Sequence, residues 1–319
     1  MMKVLIGYDG SLSAEAALED LRRAGLPREG EALVVSVGEV LAMPETSAAE
    51  MVGAAVTSRR LASAVAQAQA RAAQALEEAR ILAEAAARRV RFFLAGWDVR
   101  AEPLAGTPHW ELLRKTEEWD PDLVVVGSQG RSALGRLLLG SVSKKVAEES
   151  SRSVRIARLA AVKGEGEPPR IMIGVDGSTE AERAVRAVGE RVWPDGTQVL
   201  IVTVDDGTSP KRINSPLPST AALINGRNVE TAAAAHAMVE WGVAELRAIG
   251  LDASAVTLKG DPRSVLVAEA RRWDADSIFV GPRRFSGAVE RLRLGSVSAA
   301  VGKNAHCSVE VVRGPEASR

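Results

Sequence analysis

The stretch KVLIGYDGSLSAEAAL from Lys3 returns as RIMIGVDGSTEAERAV from Arg170, and the blocks that follow repeat in the same order. ALVVSVG from Ala32 becomes VLIVTVD from Val199, and GTPHWELLRKTEEWDPDLVVVG from Gly106 becomes GDPRSVLVAEARRWDADSIFVG from Gly260. LGSVSKKV from Leu139 becomes LGSVSAAV from Leu294. A duplication of this length means two copies of one domain, each large enough to bury its own core. The expected boundaries are 1–159 and 170–319, with AAVKGEGEPP, residues 160–169, as a charged, Gly/Pro-containing linker.

Within each copy, short β-branched apolar runs alternate with longer segments of helical period, the signature of βαβ units and an α/β fold. In the first half the pattern predicts strands near 3–8, 32–37, 98–103, 122–127 and 153–158. Helices fill the gaps at 12–25, within 56–90, at 108–119 and at 141–150. Each half is therefore expected to be a five-stranded parallel sheet flanked by helices. The Ala-rich segment within 56–90 predicts a long helix packed on the sheet, with a shorter counterpart around 229–249.

Composition removes several classes of partner. Forty-one basic residues balance forty-one acidic ones, which leaves no global field to attract nucleic acid or an anionic membrane. Aromatic residues, at 3%, are too scarce for a base-stacking surface. Cys307 is the only cysteine, so it reads as a small buried hydrophobe, and thiolate metal clusters are excluded. His109, His236 and His306 lack metal-ligand spacing. The opening MMKVLIGYDGS reaches Asp9 too early for a signal peptide's apolar region, so a soluble cytoplasmic protein is expected. Trp119 and Trp273, at matching repeat positions, are expected to pack under the loop into the fourth strand, and charged runs such as RAVRAVGERVW to be solvated helix faces.

The segment with chemistry is GSQGRSALGRLLLGS, residues 127–141, between an apolar run and a helix. A strand, a glycine-rich loop and a helix N-terminus in succession form a place for phosphate, because unpaired amides point outward and glycine permits close approach. Ser141 and Ser143 add hydroxyls, and Arg131, Lys144 and Lys145 add positive charge. The alternative is that the serines only cap the helix and the glycines only turn the chain. There is no GxxxxGK[ST] sequence, so this is not a Walker P-loop.

The spacing Gly127-x2-Gly130-x9-Gly140-Ser141, together with VLIGYDGS and its repeat, DLVVVGSQGR and LLLGSVS, resembles the universal stress protein family in its tandem two-domain form. The resemblance covers nearly all of both halves and implies two Rossmann-like domains of the adenine nucleotide alpha hydrolase-like type. It implies ATP as ligand, with Mg or Mn on the phosphates. Carried over residue by residue, Asp9 would end the first strand and Val37 would offer backbone to adenine. Gly127, Gly130 and Arg131 would line ribose and phosphates, and Gly140, Ser141, Val142 and Ser143 would receive the phosphates. Asp9, preceding Gly-Ser, also reads as a turn residue. The family pairs its domains through their last strands, which here implies an intramolecular pseudo-dimer through 153–158 and 308–313, with a further homodimer open.

The second half keeps Asp176, Val204, Gly281, Gly295, Ser296 and Ser298 in register but changes the loop. Arg284 replaces Gly130, Pro282 removes a backbone donor, Gly281 to Gly295 is one residue longer than Gly127 to Gly140, and Lys144 and Lys145 become Ala299 and Ala300. Nucleotide is thus expected mainly in the first half, in a stress-response regulator or sensor that answers to a protein partner. A slow adenine-nucleotide hydrolase using Asp9 or Ser143, and a nucleotide-free interaction protein, are the alternatives.

Overall fold

The computed structural model describes residues 1–40, 59–130, 139–158, 167–207, 218–282 and 294–314. Chain order in the first half is β1 (Met2–Gly7), α1 (Leu12–Asp20), a 3-10 turn (Leu21–Arg23), β2 (Gly30–Glu39), α2 (Arg59–Phe93), β3 (Trp97–Gly106), α3 (Pro108–Trp119), β4 (Leu123–Gly127), α4 (Ser141–Glu149) and β5 (Ser153–Ala157). The second half runs β6 (Arg170–Val175), α5 (Thr179–Gly189), β7 (Gln198–Asp205), α6 (Pro218–Ala248), β8 (Asp252–Lys259), α7 (Pro262–Arg272), β9 (Ser277–Val280), α8 (Ser296–Asn304) and β10 (Ser308–Val311).

The expected parallel sheets are present, and they are continuous. The strand order is β3-β2-β1-β4-β5-β10-β9-β6-β7-β8, one ten-stranded sheet. Pairing is parallel within each half and antiparallel only between β5 and β10. Helices cover both faces, which is why the central strands are apolar without alternation. On one face of the first half, Val4, Ile6, Val34 and Val125 meet Leu18, Leu21 and Val90; on the other, Leu5, Val35, Val124 and Ile156 meet Leu112 and Val146. The second half repeats this arrangement around Ile173, Ile201 and Phe279, and around Met172, Val202 and Val309.

Helix starts follow sequence chemistry. Ser11 and Ser178 accept from the amides of Ala14 and Ala181, at 3.1 and 3.2 Å, capping α1 and α5. Pro108 and Pro262 stand in the first turns of α3 and α7, where no amide partner is lost. Those helices stop at Asp120 and Asp274, whose φ values of 52° and 55° reverse the chain into β4 and β9. Trp119 and Trp273 lie just before these turns and pack on the core as expected, with Lys3 4.7 Å above the Trp119 ring.

Two expectations need correction. The counterpart of α2 is shorter, with 31 residues against 35, but it begins at Pro218 and not near 229. Its N-terminal half contains Asn225, Gly226 and Asn228, poor helix formers that masked its extent in the sequence. RAVRAVGERVW is not uniformly solvated either, because the Arg191 side chain is 8% exposed and paired with Glu310. Cys307 is fully buried as expected, and burial pushes its thiol pKa up to about 12. No described helix is long and apolar enough to cross a membrane.

Candidate functional site

The described ends of both glycine loops lie at the C-terminal edge of the sheet, where open α/β sheets present their ligand sites. In the first half, Asp9 follows β1, Val37 lies near the end of β2 in register with Leu104, Gly127 ends β4, and Gly140 is the N-cap of α4. The Gly140 amide donates to the Ser128 carbonyl at 2.8 Å, closing the described ends of the loop on each other. The Ser11 hydroxyl donates to the Gln129 carbonyl at 3.2 Å, tying the loop to the turn that carries Asp9. A Cβ at Gly130 would sit 3.2 Å from Asp9 Oδ2, so Gly130 is held beside that carboxylate. Asp9 is also the turn residue foreseen as its alternative, since its Oδ1 accepts from the Ser11 amide at 3.0 Å. Arg131 lies outside the described residues, as do Arg283 and Arg284.

Gly140 and Gly295 begin α4 and α8 in an extended conformation, and neither helix has a side-chain cap among the described residues. This contrasts with α1, α5 and α7, whose caps are Ser11, Ser178 and Asp261. The first-turn amides of residues 141–143 and 296–298 therefore keep their donors at the positive ends of two helix dipoles. The serines do not cap these helices. Ser143, 4% exposed, donates its hydroxyl to the Gly127 carbonyl at 2.5 Å, and Ser298 donates to the Gly295 carbonyl at 3.2 Å. Ser143 thus clips the end of β4 to α4, and its proton is committed to that carbonyl. Ser141 is exposed and Val142 is half-buried at the same helix start. Lys144 and Lys145 point along their own helix, to Glu148 and Glu149, at 3.8 and 3.0 Å.

Gly127 has a packing duty that spacing does not reveal. A Cβ there would lie 2.5 Å from the Ser13 carbonyl oxygen and 2.8 Å from the Ala14 amide, the first turn of α1. Gly281 stands in the same relation to Glu180 of α5, at 2.7 Å from its carbonyl carbon. The first glycine of each loop lets the helix that follows β1 or β6 sit against the end of β4 or β9.

In the second half, Asp176, Val204, Gly281, Gly295, Ser296 and Ser298 all line one cavity of about 740 Å³. Asp176 is exposed and accepts from the Ser178 amide at 3.1 Å and from its hydroxyl at 2.5 Å. The cavity also meets Thr203, Asp205, Asp206, Thr257, Asp261 and Arg263, which the sequence reading did not single out. Their signal was position, at strand ends and at the start of α7. A hydrogen bond from Arg263 holds the Asp261 carboxyl below its usual range. Among the described residues no group of three or more His, Cys, Asp or Glu is placed to hold a metal ion.

A family model described as the universal stress protein family matches the chain twice, over residues 1–158 and 168–313. The chain is 32% identical over 63 residues to a universal stress protein of Methanocaldococcus jannaschii, a match spanning 20% of this chain and 39% of that protein. It is 27% identical over 161 residues to the universal stress protein A-like protein of Arabidopsis thaliana, covering 46% of this chain and 91% of that one. The crystal structure of a universal stress protein from Archaeoglobus fulgidus superimposes with a TM-score of 0.59 at 20% identity, covering 98% of both chains, which is a likeness of fold. The two matches in tandem, the β3-β2-β1-β4-β5 order repeated in mirror sequence, and the duplicated glycine loops agree: the chain belongs to the universal stress protein family.

Proposed function

We propose that this chain is an adenine-nucleotide-binding regulator of a stress response, taking ATP in its first half at the β1, β2 and β4 ends. The observation that carries this reading is the start of α4 at Gly140, folded against the Gly127–Gly130 turn, whose Gly130 lies beside Asp9. Amides of Ser141, Val142 and Ser143 would meet the phosphates, Gly127 and Gly130 would bring backbone close to ribose, and Val37 would offer backbone to adenine. Arg131 would add charge at the phosphates. Mg or Mn would be held by the phosphates and not by a protein ligand cluster, where it would neutralise their charge. The ordered loop would be the surface that a protein partner reads, in a soluble cytoplasmic pseudo-dimer of domains.

The second half's cavity falls within the volume range of small-molecule sites. Its rim carries Asp205 and Asp206 where the repeat places Gly38 and Glu39 in the first half, so a polyphosphate meets one more carboxylate there. Pro282 and the longer loop act in the same direction. These differences favour nucleotide in the first half, with Asp176, Val204, Gly281, Gly295, Ser296 and Ser298 forming a weaker or altered site.

Calorimetric titration with Mg-ATP, repeated with Gly130→Arg and with chelator, tests the reading. One site that is lost in the variant and weakened by chelation is the expected result. No binding by the unaltered chain overturns the nucleotide reading, and binding undiminished in the variant overturns its placement in the first half.

A further inference from the structure

The antiparallel seam pairs Val154 with Val311, Arg155 with Glu310 and Ile156 with Val309. The repeat aligns SVRIA from Ser153 with SVEVV from Ser308, so Arg155 and Glu310 are equivalent residues as well as register partners. The local two-fold relation of the halves therefore passes between them. At this one position a symmetric pairing of two first halves would set Arg155 against Arg155, and a pairing of two second halves would set Glu310 against Glu310. Both side chains are at most 1% exposed, so in either like pairing two equal charges would face each other out of water, each keeping only the counter-ion of its own half, Asp20 or Arg191, and losing the direct Arg155–Glu310 pair.

Here the two make an ion pair at 3.3 Å. Asp20 grips Arg155 with two hydrogen bonds, at 2.5 and 3.0 Å, and Arg191 takes the other oxygen of Glu310. Burial alone would lower the Arg155 pKa, but the two carboxylates more than offset it.

Shape adds an independent argument. Gly25, at φ +64°, lies under the Trp193 ring, and a Cβ there would be 2.8 Å from ring atoms. The repeat puts Val192 where the first half has Gly25, so two second halves would drive Trp193 onto a valine. Arg23 pairs with Asp276 at 3.1 Å across the same seam, whereas two second halves would put Glu190 opposite Asp276. Other contacts are symmetric. Arg158 donates to the carbonyls of Gly302 and Ala305 at 2.7 and 2.6 Å, and its counterpart Arg313 donates to that of Ala147 at 2.6 Å. Each arginine closes the C-terminus of the other half's last helix, and would do so in any pairing.

We propose that this seam is a heterotypic docking surface: β5 accepts the β10 edge of a second half and rejects a copy of itself. Arg158 and Arg313 supply adhesion without selectivity, and Arg155, Glu310, Gly25 and Trp193 supply the selection. The occupant of the β5 edge is thus a second half, never another first half. This inference does not rest on the nucleotide reading.

The test begins with the full chain carrying a protease site within residues 160–166, purified intact and then cleaved. Native mass spectrometry of cleaved chain, mixed with an isotopically labelled copy, is expected to give only dimers of one first and one second half. Like-with-like dimers near the statistical half of the population would overturn the proposal. Glu310→Arg in the uncleaved chain places arginine on both sides of the axis. Hydrogen exchange of β5 and β10 amides is then expected to speed at least tenfold while β1 and β6 amides keep their rates; β5 and β10 rates within twofold of the unaltered chain would overturn it. Glu310→Gln, which removes charge without repulsion, is expected to fall between the two, and an effect equal to that of Glu310→Arg would refute selection by repulsion.

Discussion

Gly127 and Gly130 belong to one sequence motif, yet the structure gives them different work, and alanine at each position separates the two. At Gly127 the added carbon would meet backbone of α1 at 2.5 and 2.6 Å, atoms that no side-chain rotation can move. Overpacking typically costs about 1–3 kcal/mol, and contacts with backbone put this site at the upper end. With a urea slope of about 1–3 kcal/mol per molar, the unfolding midpoint should fall on the order of 1 M. At Gly130 the nearest atom would be Asp9 Oδ2 at 3.2 Å and the residue is exposed, so alanine should change stability by less than about 0.5 kcal/mol. Under the nucleotide reading, Gly130→Ala should still weaken ATP, because its methyl group occupies the approach beside Asp9. Urea unfolding followed by circular dichroism, with ATP calorimetry on the same samples, reads both quantities. A stable Gly127→Ala together with a destabilised Gly130→Ala would refute the assignment of packing to the first glycine and approach to the second.

Arg155→Met should cost about 3–5 kcal/mol, the usual penalty for removing one partner of a buried ion pair, and denaturant unfolding measures it; a loss below about 1 kcal/mol would mean that Asp20 and Glu310 are satisfied without it. Cys307 sets an alkaline limit on stability. Its thiol pKa is raised from 9.0 to about 12, so the unfolded chain releases this proton first and the thiol's contribution, complete below about pH 9, is lost as pH rises toward 12. Cys307→Ala should therefore show a shallower fall of stability between those values, and thiol alkylation of the unaltered chain near neutrality should track unfolding; rapid labelling of the folded chain would refute the burial argument.

The fold was legible because duplication displayed every element twice. Strand runs such as DLVVV need no partner information to be recognised when both faces of the sheet are covered, and β4 lies within one residue of its expected start. The start of α6 was hidden by Gly226 and its neighbouring asparagines, whose low helix propensity argues against the helix that forms there. At the site, the spacing identified the loop that meets Asp9 but could not tell that Gly127 is required by the backbone of α1, since that contact joins segments more than a hundred residues apart and leaves no local pattern. Arg155 and Glu310 were invisible for a related reason. A charge inside a five- or four-residue apolar strand reads as an edge residue facing solvent until the other half is seen to cover it.

What the halves share and what they do not divides the molecule by physical role. The αL aspartates, the glycine starts of α4 and α8, and the arginines that close the opposite helix ends recur at equivalent positions, since each half must solve the same folding problem. The axis residues and the site rims differ. If β5 accepts only β10, as proposed, every assembly of the halves holds one glycine loop of each kind. Substitutions such as Gly38 to Asp205 or Gly130 to Arg284 then never have to function opposite a copy of themselves. Such a selective seam would remove the symmetry that otherwise keeps the two loops alike, and would let the rims diverge toward different ligands.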